Sequence, residues 1–163
     1  MKKILLSMRP DGWDRIKSGE KIYEYRKRFL RGEKVQAYLY LSKPLSGISG
    51  CLYLGEQISL DSWLEAYSRE IDVVRRINEY KRKGNNVVME ILGYRESNFI
   101  HKDKIHRDLG RFIVPQGFYY IKESSELFRY LDCNIKFEKI HINNKNAFVG
   151  SSNVCLNYGL QKK

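Results

Sequence analysis

Apolar residues along this chain repeat with two different periods, and the order in which those periods follow one another limits the available folds. Residues 3–8 form a short apolar run of strand length, cut off by Arg9-Pro10-Asp11. Val35 to Leu41 alternates cleanly, as a half-buried strand does. Residues 48–58, 87–92 and 118–121 are further strand-length segments, with Gly50 and Gly55 marking bends or bulges. Helical spacing intervenes irregularly. Pro10 opens a short helix carrying Trp13 and Ile16, and Gly19 closes it. A longer helix is predicted over residues 60–82, capped by Ser59 or Asp61 and ended by Gly84-Asn85-Asn86. Its apolar stripe is Leu60, Leu64, Tyr67, Ile71 and Val74. Ser124 to Leu131 is a third helix, with Leu127, Phe128 and Leu131 inward. Residues 95–114 are basic and weakly patterned, with a loop or helical turn about Asp103–Leu109. This order lacks the strict strand–helix alternation of a doubly wound sheet. The expected class is α+β: a small curved sheet or β-barrel with peripheral helices.

The chain has 163 residues and no internal repeat or linker that would split it, which suits one domain. Residues 1–133 are expected to form that domain. Residues 134–163 read as a C-terminal extension packed on it or trailing from it, with alternation at Ile135 and Phe137, a turn at 143–146, and a loosely held polar end from residue 150. No apolar run approaches the roughly 20 residues that span a bilayer, so no membrane association is expected. Cys51, Cys133 and Cys155 are scattered and odd in number, which fits free thiols in a reducing cytoplasm. His101 and His106 are five apart, off the helical metal-pair spacing, and no cysteine or carboxylate cluster completes a site. Neither a metal nor a cofactor is expected. The thirty basic residues against nineteen acidic ones, net +11, favour a polyanionic partner. Twelve Tyr, seven Phe and two Trp offer faces on which unpaired bases stack.

Reactive side chains are densest at Gly19-Glu20-Lys21-Ile22-Tyr23-Glu24-Tyr25-Arg26. On a strand, Glu24 and Arg26 share a face, and Lys21 at the glycine-led turn can fold toward them. Arg26 suits phosphate or a polar base edge. Glu24 and Lys21 suit either recognition or proton transfer. The plain alternative is an exposed Glu–Arg pair worth roughly 0–1 kcal/mol. Tyr23 and Tyr25 flank the pair, and Arg26-Lys27-Arg28, followed by Arg31 and Lys34, continues from it as a phosphate-tracking rim. Arg75-Arg76 and Lys81-Arg82-Lys83 extend that rim if the long helix packs on the same side.

The pattern G-x-K-x-x-E-x-R, carried by Gly19, Lys21, Glu24 and Arg26, resembles the signature of ASCH domains in the PUA-like superfamily. The lead-in Ile4 to Pro10, the strand at Val35–Leu41 with Ser42 and Pro44 after it, Gly50, and Pro115 and Gly117 before Phe118–Ile121 are similar as well. The resemblance implies a PUA-like barrel with a cleft at the motif and RNA or a nucleoside as ligand. Taken with the residue pattern above, it nominates Arg9, Lys21, Tyr23, Glu24, Tyr25, Arg26, Lys27, Arg28 and Ser42 for binding. Some relatives are lysine-dependent amidohydrolases acting on acetylated cytidine, and others have been described as ribonucleases. By that resemblance Lys21 matches the catalytic lysine, while Glu24 stands where the small amidohydrolases carry threonine. Read from the residues themselves, Lys21 and Glu24 are the catalytic acid–base pair if the chain is a hydrolase. The residues leave three readings open: an RNA-binding module, a hydrolase of a modified nucleoside or RNA, and a protein-interaction module facing an acidic partner.

Overall fold

In a computed structural model, residues 1–143 and 151–156 are described. The elements in chain order are β1 (Lys2–Met8), α1 (Pro10–Lys17), β2 (Tyr23–Arg26), β3 (Val35–Leu41), β4 (Gly47–Leu54), β5 (Ile58–Ser59), α2 (Leu60–Ala66), α3 (Ile71–Arg82), β6 (Val87–His101), α4 (Lys102–Leu109), β7 (Phe118–Tyr120), α5 (Glu126–Asn134) and β8 (His141–Ile142). A 3-10 turn, Ser151–Asn153, follows. The strands form one mixed sheet in the order β2-β6-β4-β3-β1-β7, with β5 and β8 also pairing with β6. Among the described residues only β1 and β3 run parallel.

The sheet curls into a half-barrel. Four strand spacings separate β2 from β1, which in a flat sheet is roughly 19 Å. Yet the guanidinium of Arg26 on β2 donates to the Ser7 carbonyl of β1 at 2.7 Å. Register shifts in β4 between Ile48 and Gly50, and between Tyr53 and Leu54, supply the bending. Gly50 is needed there because a Cβ would lie 2.6 Å from the Arg95 carbonyl and 3.0 Å from the Trp13 ring.

Strand alternation divides the interior. Ile4, Leu6, Met8, Ala37, Leu39 and Leu41 face the inside of the curl with Trp13 and Ile16 of α1. Leu5, Tyr38 and Tyr40 face outward and are covered by Ile105 of α4 and by Tyr130 and Leu131 of α5. A third cluster, Leu60, Trp63, Val73, Ile77 and Val88, packs beside β2 and includes Val154 and Cys155.

Two expectations need correction. The helix predicted over 60–82 is two helices, α2 and α3, broken at Tyr67–Glu70, where the Glu70 N–H closes a turn onto the Tyr67 carbonyl. The break resets the helical phase, so the buried positions are Leu60, Trp63, Val73 and Ile77, while Ile71 is 82% exposed. The segment after residue 92 is not irregular: β6 continues to His101, because β4 hydrogen-bonds along most of its length. Ser59 is the cap of α2, accepting from the Asp61 N–H. His101 caps α4 in the same way, and His141 stacks on Tyr94. Residue 143 of the expected turn is described, with its N–H on the Leu92 carbonyl, but 144–146 lie outside the described residues, as do 157–163. Within the end expected to be loose, Val154 and Cys155 are fully buried.

Gly50→Ala should lower stability by about 1–3 kcal/mol, measurable as a drop in the denaturant midpoint at unchanged slope. Burial pushes the Cys155 thiol up to about 12 and the Cys51 thiol up as well, whereas Cys133 is exposed. An aromatic disulfide reagent should therefore label Cys133 at once, and the other two only on unfolding.

Candidate functional site

The turn from α1 into β2 creates the site. Gly19 takes φ +82°, a left-handed conformation that side chains disfavour, and it returns the chain so that the Lys21 N–H reaches the Arg15 carbonyl. Antiparallel pairing to β6, with Glu24 opposite Met89 and Arg26 opposite Val87, then fixes the faces of β2. Glu24 and Arg26 project into the curl.

Glu24 is only 5% exposed and sits between two cations. Arg26 Nε donates to its Oε1 at 2.8 Å, and Lys21 Nζ lies 3.3 Å from its Oε2. The latter contact is ionic, since Oε2 lacks a hydrogen bond of good geometry among the described residues. Lys21 Nζ also donates to the Tyr23 carbonyl at 2.7 Å and lies 5.4 Å from the Tyr25 ring centre. Burial alone would push the Glu24 carboxyl up, but Lys21 and Arg26 outweigh it and hold the group below the ordinary value. A lowered value keeps it a carboxylate at neutral pH.

Around this triad lies an open cavity of about 380 Å³. Arg9, Arg15, Lys21 and Arg26 line it against Asp11 and Glu24, a surplus of two positive charges. Ser7, Ser42 and Gln116 add polar groups, and Tyr25 and Tyr80 form an aromatic wall, their ring centres 4.4 Å apart. Asp11 bridges Arg9 at 3.1 Å and Arg15 at 3.5 Å, so each carboxylate is bracketed by two cations. Arg9 remains 79% exposed at the mouth. A second cavity, about 370 Å³ between the α4–β7 loop and the start of α5, is lined mostly by apolar side chains such as Phe112, Ile113 and Leu127 and gathers no comparable set of charges.

Of the residues nominated from sequence, Arg9, Lys21, Glu24, Tyr25, Arg26 and Ser42 line the first cavity. Tyr23 does not. It packs edge-on against Trp63, 5.0 Å between ring centres, and burial pushes its phenol up, so it stays protonated. Lys27 and Arg28 are exposed beyond the end of β2, outside the cavity. Sequence reasoning missed Asp11, Arg15, Gln116 and Tyr80. Tyr80 carried no local signal, because it reaches the wall only through the packing of α3 on β2. The C-terminal segment braces that wall: the Cys155 N–H donates to the Tyr25 hydroxyl at 2.8 Å, the Tyr80 hydroxyl donates to the Leu156 carbonyl, and Arg76 Nε donates to the Val154 carbonyl at 2.9 Å.

The sequence matches no family model and no curated protein. Solved structures do match. An ASCH protein from Zymomonas mobilis superposes with a TM-score of 0.61 at 20% identity, over 83% of this chain and 96% of that one. Two single-residue variants of that protein give 0.60 and 0.61 at 19% and 18% identity, covering 97% and 100% of their chains. This chain has the ASCH fold. The α+β, PUA-like expectation therefore holds, and in this ASCH fold the motif residues meet at the mouth of the half-barrel.

Replacing Glu24 strands two cations in a partly desolvated place, so Glu24→Gln should cost roughly 3 kcal/mol or more. The native stabilisation is complete above the unfolded carboxyl value and is lost as pH falls through the lower folded value. Thermal melts from pH 7 to 3 should show wild type losing stability through this acid range more steeply than Glu24→Gln. Equal slopes would show that the carboxylate is not held ionised by its neighbours.

Proposed function

We propose that this ASCH-fold protein binds RNA and takes a nucleotide into the Lys21–Glu24–Arg26 cavity. The observation that carries this is the cavity's composition: two surplus cations beside an aromatic wall, in a space within the roughly 300–1,000 Å³ of small-molecule pockets. Phosphate would meet Arg9 at the mouth, where the side chain is exposed. Arg26 is held by Glu24 on one side and the Ser7 carbonyl on the other, so it would enter binding already oriented. Lys21 and Ser42 add polar contacts to a base edge or ribose, and the Tyr25–Tyr80 wall offers an aromatic surface for a base.

Glu24 acts in this reading as the carboxylate that fixes two cations. A raised carboxyl value would have favoured acid catalysis at this position, and the shift runs the other way. The module itself supplies recognition, and the absence of such a raised group favours binding over hydrolysis by Glu24.

Fluorescence anisotropy with a short single-stranded RNA tests this. Arg9→Ala and Lys21→Ala should each weaken binding about tenfold, and Arg9→Ala should leave the melting temperature unchanged. The salt dependence should be steep, because phosphate contacts release counterions. Mass spectrometry of the recovered RNA should show it unchanged. Affinity that survives both substitutions would overturn the cavity assignment, and product formed by wild type but not by Lys21→Ala would make the protein an enzyme.

A further inference from the structure

Two stretches of the chain are basic and free of carboxylates: residues 25–32, Tyr-Arg-Lys-Arg-Phe-Leu-Arg-Gly, and residues 81–89, Lys-Arg-Lys-Gly-Asn-Asn-Val-Val-Met. They are distant in sequence, and the fold fuses them into one corner. Arg26 and Val87 are register partners at the junction. Asn86 donates its backbone N–H to the Arg26 carbonyl at 3.0 Å and its side-chain amide to the Lys27 carbonyl at 3.4 Å. The turn that follows Arg82 and Lys83 at the end of α3 is thereby bonded to the backbone where Lys27 and Arg28 leave β2.

All four side chains are exposed. Among the described residues none of them has a carboxylate partner, whereas the neighbouring Lys81 is paired with Asp61. Four unneutralised cations at one corner repel one another, an expense that a polyanion would offset. The corner also adjoins the cavity. Arg26 and Tyr80 line the cavity, and Lys83 Nζ, outside it, lies 5.9 Å from the Tyr80 ring centre.

We infer that this corner is a phosphodiester track, so that the ligand is a single-stranded RNA rather than a free nucleoside. One nucleotide enters the cavity, and the flanking backbone passes Tyr80 onto Lys27, Arg28, Arg82 and Lys83. This rests on the RNA reading of the cavity and adds the size of the ligand to it. The track contributes charge without hydrogen-bonded orientation, so it supplies affinity and salt sensitivity with little base preference.

The test uses the full chain and two probes: a ribonucleoside 5′-monophosphate and a ten-nucleotide single-stranded RNA of mixed sequence. One variant replaces Lys27, Arg28, Arg82 and Lys83 with Ala, and a second carries Arg9→Ala with Lys21→Ala. Wild type should bind the decamer far more tightly than the monophosphate. The track variant should keep its monophosphate affinity and its melting temperature. It should lose roughly 100-fold or more in decamer affinity at 0.1 M salt, with a salt slope shallower by roughly 3, since each single-strand phosphate contact adds roughly 0.7. A track variant that binds the decamer with wild-type affinity and slope overturns the inference. So does polyglutamate that competes as well as RNA, which would assign the corner to an acidic protein. Decamer binding lost in the track variant but intact in the cavity variant would keep the track and discard the cavity reading. A wild type that binds no decamer removes both.

Discussion

The buried carboxylate of Glu24 is the group on which the rest of the site depends. An isolated carboxylate this far from water would be protonated or would open the structure. Here it is ionised, because Arg26 and Lys21 approach it from two sides. The same arrangement has a mechanical consequence. Arg26 is a bridge as well as a counter-ion: its other nitrogen bonds the Ser7 carbonyl on β1, across the opening of the curled sheet. Glu24 thus holds Arg26, and Arg26 ties strand β2 to β1, which lies four strands away in the sheet order. The half-barrel's mouth and the polar centre of the cavity are set by one cluster.

The surrounding fold makes that cluster affordable by burying apolar surface on both sides of the sheet. Alternate residues of β1 and β3 serve the inner core and the outer core beneath α4 and α5. Among the described residues the motif strand β2 is paired along one edge only, to β6, and one of its faces is covered by α2, α3 and the segment around Val154. A strand so lightly held by its sheet needs other restraints. The Cys155 N–H on the Tyr25 hydroxyl and Asn86 on the Arg26 and Lys27 carbonyls supply them.

Local pattern made several parts of this legible. Strict alternation at Val35–Leu41, proline and glycine around α1, and Ser59 before α2 each state a backbone preference that the tertiary structure keeps. The Lys21, Glu24 and Arg26 spacing was readable because period-two geometry puts two of them on one face and the glycine turn brings the third back. What sequence could not show is set by long-range packing. The break at Tyr67–Glu70 carries no proline or glycine, so the stripe reads through it and misplaces Ile71 and Trp63. Tyr80 and Arg15 join the cavity only once α1 and α3 are docked. The polar composition of the last residues masked the two apolar side chains, Val154 and Cys155, that are buried beside β2.

Charge is distributed with a division of labour that follows from burial. Inside the cavity every carboxylate is bracketed by cations, so the basic groups there are oriented and their charge is partly offset. Such groups discriminate between ligands by geometry, since a partner must match donors that are already fixed. At the corner where β2 meets the end of α3, the basic groups are exposed and lack carboxylate partners among the described residues, which gives a long-range field but little orientation. A protein built only on the first principle would select well and bind weakly. One built only on the second would bind any polyanion. In the RNA reading proposed above, placing the unpaired set near the paired set, with Tyr80 lining the cavity, would let the field gather a strand and the cavity choose which nucleotide stays.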